Sequence, residues 1–181
     1  RIHCIMSCNA NFSCLNMHKS VLPLPDLLEQ LDGSPFSVGF LQEFAHYGGR
    51  ITGLGPHNTT KISTKSRAAI CYSKNMSILP IDTLTTNDLA VALWKPDTRD
   101  PIVLVSVYLD GTEDVAKQIE QLEEIRLKAS RDGHSIIIAG DFNAHSWAWG
   151  SRKEDVRGKL LSEWIVSREI SIQNTDGTAT W

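Results

Sequence analysis

The sequence lacks long apolar runs, and this excludes one class of protein at the outset. None of its apolar stretches approaches the roughly 18 residues that a membrane-spanning helix needs. The first residues, Arg1-Ile2-His3-Cys4-Ile5, are more typical of a buried strand than of a signal peptide. We therefore expect no membrane partner.

Cysteine is also scarce, and its spacing fits neither a disulfide framework nor a zinc site. The cysteines are Cys4, Cys8, Cys14 and Cys71. They include no Cys-x-x-Cys pair, and no histidine cluster supplies further metal ligands. Cys4 and Cys8 lie in an apolar run, where a free thiol behaves as a small hydrophobic group. Buried thiols are thus favoured over a metal site, and a reducing compartment over an oxidising one.

The sequence also lacks an excess of positive charge. The net charge of −3 argues against a protein that coats nucleic acid through charge alone. It still allows an enzyme with a local basic rim around an acidic, metal-filled centre. The length of 181 residues, of which 41% are hydrophobic, is typical of a single domain with a sizeable core.

Apolar periodicity predicts a mixed α/β domain. Strands are predicted at 2–8, 36–41, 68–72, 76–81, 89–94, 102–109 and 135–139, and a further strand is predicted to begin at 170–173. Helices are predicted at 20–31, 113–131 and 156–167, and a long loop at 48–65. The run of four strands in the middle suits two sheets packed face to face with helices outside, although periodicity alone does not establish this arrangement.

Two polar side chains emerge at the end of the strand at 135–139. Asp141 and Asn143 are two residues apart, so in an extended chain they project to the same side. A carboxylate and an amide placed in this way can hold a water molecule and a phosphate oxygen together. A turn that the same two side chains cap locally fits this segment equally well.

Three other strand ends carry polar residues. Glu43 follows the strand at 36–41, Tyr108 ends the strand at 102–109, and Asn9 follows the first strand. Taken singly, each also fits a solvated edge, an amphipathic core position or a turn. Because Mg²⁺ needs only one or two protein carboxylates, two such strand ends would suffice if the fold brings them together.

With these residues in view, the sequence resembles a known family. The match to the endonuclease/exonuclease/phosphatase superfamily rests on Asn9, Gln42-Glu43, Tyr108 and Gly140-Asp141-Phe142-Asn143. The similarity to its non-LTR retrotransposon branch rests on the segments 140–146, 149–151, 67–70 and 157–161. The resemblance runs from the first strand to Trp181.

The resemblance implies a fold and a set of roles. The implied fold is an α/β four-layer sandwich of helix, sheet, sheet and helix, like deoxyribonuclease I, with the active site at one rim and a single domain over residues 1–181. Glu43 would bind Mg²⁺, with Mn²⁺ as an alternative. Asp141 would orient or deprotonate the attacking water, and Asn143 would hold that water or a phosphate oxygen. Asn9 would support the metal or the scissile phosphate, and Tyr108 would donate a hydrogen bond to the phosphate.

The implied activity is metal-dependent nicking of double-stranded DNA. The nick would leave a 3′-hydroxyl that a reverse transcriptase domain of the same polyprotein extends, and a nuclear location follows by implication. The residues expected to contact DNA are Arg67, His145, Arg152, Lys153 and Arg157.

The family pattern continues past Trp181. Two further acidic positions and a terminal Ser-Asp-His block have no counterpart in this sequence, so the C-terminal strands are expected to be missing from the sandwich. Two alternatives to the nuclease stay open, because this terminal block is missing and because the same fold also occurs in phosphatases. One is a catalytically inactive fragment or binding module of a degenerate element, and the other is a phosphatase of the same fold.

Overall fold

A computed structural model describes residues 4–5, 10–97 and 99–173 of the chain. The strands are β1 (Cys4–Ile5), β2 (Asn11–Asn16), β3 (Ser37–Gln42), β4 (His46–Tyr47), β5 (Arg50–Ile51), β6 (Asn58–Thr59), β7 (Ala68–Tyr72), β8 (Ile78–Pro80), β9 (Leu89–Trp94), β10 (Ile102–Tyr108) and β11 (Ser135–Asp141). The helices are α1 (Leu24–Gly33), α2 (Val115–Arg131) and α3 (Val156–Ser167), and Trp147–Trp149 form a 3₁₀ turn. Within this part of the chain, no helix combines the length and the apolar content that crossing a bilayer requires.

Most of the strands form two sheets. One sheet has the order β1-β2-β3-β7-β6, the other has the order β11-β10-β9-β8, and β4 and β5 form a separate ribbon. The pairs β2–β3 and β10–β11 are parallel, and the remaining pairs are antiparallel. Since parallel strands end on the same side, β2 and β3 finish at one edge of their sheet, and β10 and β11 do the same in theirs.

The two sheets pack against each other through an apolar interior. Alternate residues of each strand point inward, which follows from the twofold period of an extended chain. The ring centroids of Phe12 and Phe40 lie 6.3 Å apart, and Trp94 meets Phe12 edge-on at 6.1 Å. Smaller buried residues complete this layer, among them Val38, Ile70, Ala90, Ala92, Ile102 and Leu104.

Helices cover both outer faces. Leu24, Leu27 and Leu31 of α1 pack on the first sheet. Residues of α2 and α3 pack on the second sheet, where the alternate residues Val103, Val105 and Val107 face outward. The order is therefore helix, sheet, sheet, helix, and the four-layer fold expected from the resemblance is confirmed.

Helix ends follow local chemistry. Asp114 and Asp155 cap α2 and α3 by accepting hydrogen bonds from backbone N–H groups of the first turn. Pro23 and Pro25 delay the start of α1 to Leu24, because proline is tolerated only in the first turn of a helix.

Three segments differ in secondary structure from what the sequence predicted. The predicted strand at 170–173 is wrong: these residues form no strand, and the backbone N–H of Ile170 instead closes the end of α3 by donating to Ile165 O at 3.0 Å. The predicted long loop at 48–65 contains β5 and β6, which are too short to leave a sequence pattern. Strand β2 was not predicted, and this short segment of mixed polar and apolar residues is held as a strand by parallel pairing with β3.

The cysteines within the described residues are free thiols. Cys71 is buried and Cys14 is half-buried, and burial raises the pKa of both thiols to about 12. A thiol with so high a pKa is not a reactive nucleophile at neutral pH. The side chains of Cys4 and Cys8 lie outside the described part of the chain.

Candidate active site at the strand ends

The candidate site lies where the two parallel strand pairs end. Asn16 is opposite Gln42 in the pair β2–β3, and Tyr108 is opposite Asp141 in the pair β10–β11. Glu43 follows Gln42 directly. Both pairs finish at the same rim of the sandwich, since Asn16 of the first sheet contacts Asp141 of the second.

Asn16 joins the two carboxylates of the site. Its Nδ2 donates to Glu43 Oε2 at 3.0 Å and to Asp141 Oδ2 at 2.6 Å. Its Oδ1 accepts from the backbone N–H of His18 at 3.0 Å, which fixes the orientation of the amide. One carboxylate oxygen from each sheet therefore meets the same nitrogen atom.

The backbone holds Glu43 in a strained conformation. Its φ is 48°, a left-handed value that costs a non-glycine residue about 1 kcal/mol or more and that clusters at functional sites. Its N–H donates to Arg67 O at 2.9 Å, and its carbonyl accepts from Lys19 N at 2.6 Å. These two bonds fix the residue from both sides, while its side chain stays 24% exposed and lies 3.3 Å from the imidazole Nδ1 of His18.

A buried polar bridge lies directly beneath Glu43. Gln42 is completely buried, and its Nε2 donates across the sandwich to Ser106 Oγ of β10 at 2.9 Å. Ser106 Oγ in turn donates to Leu41 O at 3.1 Å, and Gln42 Oε1 accepts from Cys14 Sγ at 3.4 Å. The bridge sets the spacing of the two sheets next to the site.

Tyr108 is supported by an arginine whose three nitrogens all bind carboxylates. The guanidinium carbon of Arg67 lies 4.9 Å from the centroid of the Tyr108 ring. Nε and Nη2 of Arg67 bind the two oxygens of Asp88 at 2.5 and 2.7 Å, and Nη1 binds Asp110. Burial, together with the nearby carboxylate of Glu43, raises the pKa of Tyr108 above its ordinary value. The hydroxyl therefore remains a hydrogen-bond donor at neutral pH.

Strand β11 reaches the site because it carries a glycine at its end. A Cβ at Gly140 would lie 1.9 Å from the backbone oxygen of Val107, so any other residue would force β10 and β11 apart. With glycine there, the backbone brings Asp141 opposite Tyr108.

The turn after Asp141 differs in geometry from the prediction. Asp141 Oδ1 accepts from the N–H of Asn143 at 3.0 Å, and Asn143 has a left-handed φ of 44°. The extended geometry expected for these two residues is thus wrong at Asn143, because the carboxylate folds the chain into a turn. Asn143 Nδ2 donates to Leu109 O at 3.0 Å, which holds the exposed amide beside the end of β10. The turn and the site are both present, since Asp141 caps the turn with one oxygen and meets Asn16 with the other.

The structure brings Glu43, Tyr108 and Asp141 together and places Asn143 at the edge of the same site. Asn9 lies outside the described residues, so its assigned role stays a prediction. Asn16 is the functional candidate that sequence reasoning missed. The signal was present, because Asn16 is a polar residue at the exit of a strand, but the strand has no continuous apolar run.

The five residues predicted to contact DNA fall into two groups. His145, Arg152 and Lys153 are exposed on the segment that leads into α3. Arg67 and Arg157 have guanidinium groups that bind protein oxygens. DNA contact stays a prediction for all five, and for the two arginines the structure supplies protein partners.

The residues of the site fit a magnesium ion that takes few protein ligands. Among residues 4–5, 10–97 and 99–173, no group of three or more histidine, cysteine, aspartate or glutamate side chains is placed to hold a metal. Mg²⁺ usually keeps several waters and is bound through one or two carboxylates plus substrate phosphate. Glu43 and Asp141, which share the amide of Asn16, provide a donor set of that kind.

Comparison with known proteins gives the same fold. A family model described as "Endonuclease-reverse transcriptase" matches residues 102–181. The endonuclease domain of TRAS1, a telomere-specific non-LTR retrotransposon, superposes with a TM-score of 0.77 at 22% identity, covering 93% of this chain and 74% of that one. The AP endonuclease LMAP from Leishmania major gives a TM-score of 0.55 at 13% identity, covering 94% of this chain and 72% of that one.

The curated relatives are much longer proteins. The RNA-directed DNA polymerase from mobile element jockey of Drosophila funebris is 29% identical over 116 residues, which is 62% of this chain and 12% of the relative. The probable RNA-directed DNA polymerase from transposon X-element of Drosophila melanogaster is 29% identical over 120 residues, which is 64% of this chain and again 12% of the relative. The chain therefore has the deoxyribonuclease I-like four-layer fold of these endonucleases, and it resembles the endonuclease domain of non-LTR retrotransposons.

Proposed function

We propose that the chain is a metal-dependent DNA endonuclease domain of a non-LTR retrotransposon. It nicks target DNA and leaves a 3′-hydroxyl that primes reverse transcription. The observation that supports this proposal is the convergence of Asn16, Glu43, Tyr108 and Asp141, from two sheets, at one rim of the sandwich.

Glu43 is the proposed ligand for Mg²⁺, with Mn²⁺ as an alternative, and Asn16 holds its carboxylate in place. When bound, the metal supplies positive charge against the charge that develops on the phosphate. The partly exposed carboxylate and the strained backbone of Glu43 suit a ligand that must stay accessible and fixed.

Asp141 is the proposed general base. Its carboxylate is oriented by Asn16 on one oxygen and by the N–H of Asn143 on the other. A water oxygen attacks the phosphorus while Asp141 accepts the proton of that water, the bond from phosphorus to O3′ breaks, and the leaving O3′ takes a proton from solvent. The products are a 5′-phosphate and a 3′-hydroxyl.

Tyr108 and Asn143 are the proposed contacts to the phosphate. The Tyr108 hydroxyl is protonated at neutral pH, and burial raises its pKa further, so it donates to a phosphate oxygen without adding negative charge. The exposed amide of Asn143 lies beside Asp141, where it can hold the attacking water or a phosphate oxygen. Neutral donors of this kind stabilise charge in the transition state without repelling the DNA.

Double-stranded DNA is the proposed substrate, and a reverse transcriptase domain of the same polyprotein is the proposed partner. Two facts support the partner: the relatives are named RNA-directed DNA polymerases, and the chain spans only 12% of their length. A nuclear location follows from this function, since chromosomal DNA is the target.

A plasmid-nicking assay tests the proposal. We expect the protein to convert supercoiled plasmid to the open circle in Mg²⁺ but not in EDTA, and we expect Asp141→Asn to abolish the conversion. Asp132→Asn is the matched control, since Asp132 lies at the end of α2 and pairs only with Lys128 in the described structure. Extension of the nicked strand by a DNA polymerase without phosphatase treatment checks for the 3′-hydroxyl.

Other outcomes would favour the alternatives. Nicking that Asp141→Asn leaves unchanged would refute the assigned site. Hydrolysis of a nucleotide phosphate without any nicking would favour a phosphatase. A folded protein that does neither would favour a catalytically inactive binding module.

A further inference from the structure

The first turn of α3 carries the loop that follows β11. Asp155 accepts from the N–H groups of His145 at 3.2 Å and Gly158 at 2.7 Å, and its own N–H donates to His145 O at 3.0 Å. A Cβ at Gly158 would lie 1.8 Å from His145 O, so only glycine allows so close an approach. The loop therefore rests directly on the helix.

Arg157 projects from the same turn and binds three separate segments. Its Nε donates to Asn143 O at 3.0 Å, its Nη1 to Glu113 O at 2.8 Å, and its Nη2 to Gln118 Oε1 at 2.8 Å. The three acceptors belong to the loop after β11, the segment before α2 and α2 itself. A planar guanidinium can donate in three directions at once, whereas a lysine ammonium acts as a compact charge on a flexible stem.

The contact to Asn143 falls at a strained point of the site. Asn143 has a left-handed φ, and its N–H is one of the two groups that orient Asp141. A non-glycine residue holds such a conformation only when its surroundings over-determine it. The carbonyl of Asn143 is fixed by Arg157, and its side chain is fixed by Leu109 O.

We propose that Arg157 is a positioning residue, which acts through the Asn143 carbonyl to hold the turn from Asp141 to Asn143 in the geometry needed for cleavage. This inference rests on the proposed function and replaces the DNA contact predicted for Arg157 from the sequence. Arg157 raises the cleavage rate and adds little to DNA affinity, because each of its three nitrogens already donates to a protein acceptor.

The Arg157→Lys variant distinguishes a positioning role from a direct contact with DNA. Arg157→Lys keeps the positive charge but cannot reproduce three directed bonds, so we expect kcat to fall at least tenfold in both Arg157→Lys and Arg157→Ala. KM for DNA stays within about twofold. An arginine that contacts a DNA phosphate behaves differently. Replacement by lysine keeps most of its function, and replacement by alanine lowers the slope of log affinity against log salt by about one.

Arg168→Lys is the matched control. Arg168 also binds protein acceptors, including Glu123 Oε1 at 2.8 Å, but it lies at the other end of α3. We expect this variant to keep the wild-type kcat. Denaturant unfolding of all variants shows whether each is folded, and Arg157→Lys carries the test if the alanine variant is not.

Two measurements do not depend on cleavage. DNA binding by fluorescence anisotropy in Ca²⁺ over a salt series gives the slope, and hydrogen exchange of the amides at 142–146 reports on the turn. We expect an unchanged slope and faster exchange in both Arg157 variants but not in Arg168→Lys.

Restoration of kcat by lysine, a slope reduced by about one, or unchanged exchange at 142–146 would each overturn the proposal. If the wild-type protein does not nick DNA, the proposed function fails. In that case the exchange measurement still decides whether Arg157 holds the turn.

Discussion

Replacement of Asn16 by alanine tests whether this asparagine joins the two halves of the site. The substitution removes the single nitrogen that donates to Glu43 at 3.0 Å and to Asp141 at 2.6 Å. It leaves both carboxylates in place but without the shared donor that orients them. We expect the fold to persist and the nicking rate to fall.

The size of the effect follows from the kind of bond that is lost. A hydrogen bond to a charged group contributes about 1.5–3 kcal/mol. If the loss of one such bond is felt in the transition state, the nicking rate falls by roughly 10- to 150-fold, since about 1.4 kcal/mol corresponds to a factor of ten. Loss of the second hydrogen bond of Asn16 is expected to lower the free energy of unfolding by about 1–3 kcal/mol.

The assay combines nicking rates at saturating Mg²⁺ with denaturant unfolding in EDTA. Asn11→Ala is the matched control, because Asn11 is an exposed asparagine at the other end of the same strand. Asn9→Ala belongs in the same series, since the family resemblance implied that Asn9 supports the metal or the scissile phosphate. We expect the Asn16 variant to lose the most activity.

One pattern of results would refute the reasoning. If Asn16→Ala nicks at the wild-type rate while Asn9→Ala does not, the amide between the carboxylates has no part in the reaction. Asn16→Ala could instead lose activity together with far more than about 3 kcal/mol of its free energy of unfolding, measured in EDTA. That result would show that Asn16 is needed for the fold and not for the site.

Three further substitutions test the support around the site. Gln42→Leu removes the buried bridge and leaves the Ser106 hydroxyl without its donor, so we expect a loss of about 2–4 kcal/mol in urea unfolding, and an unchanged midpoint would contradict this. Gly158→Ala places a methyl group against the carbonyl of His145, so we expect slower nicking and a free energy of unfolding lower by at least about 1–3 kcal/mol. A crystal structure of this variant in which α3 has not shifted would disprove the contact. Glu123 has its pKa lowered from 4.5 to about 2, mainly by a hydrogen bond from a neighbouring arginine, so its stabilisation is complete above pH 4.5 and is lost as the pH falls toward 2. Glu123→Gln should therefore cost about 1–2 kcal/mol at pH 7 after allowance for solvent screening and much less near pH 2, and a deficit that is equal at both pH values would exclude this ionic cause.

The sequence predicted most strands well because their residues form short apolar runs. The predicted bounds 68–72 and 89–94 agree with β7 and β9, and the predicted helix 156–167 agrees with α3. In these segments the local pattern and the tertiary packing favour the same structure. Such segments need no knowledge of their neighbours to be found.

Strand β2 could not be found in this way. Its inner residues Phe12 and Cys14 alternate with polar ones, and the segment becomes a strand because it pairs with β3, more than twenty positions further along the chain. Since Asn16 is carried by β2, the candidate site was incomplete for the same reason. The convergence of Glu43 with Asp141 is likewise a property of sheet packing, which local pattern does not contain.

The roles of the two arginines were also outside the reach of the sequence. Arg67 and Arg157 stand in polar segments where a solvent-facing cation is the ordinary expectation. In the structure each one donates from all three of its nitrogens to protein oxygens of distant segments. Only the fold determines which charges remain available to a nucleic acid.

The buried bridge between Gln42 and Ser106 has a consequence for how the site is assembled. Each sheet contributes only half of the reactive groups, so neither sheet contains a site before the two have met. The active site therefore forms only when the two sheets pack against each other. Separation of the sheets would disrupt the site even if every strand and helix stayed folded.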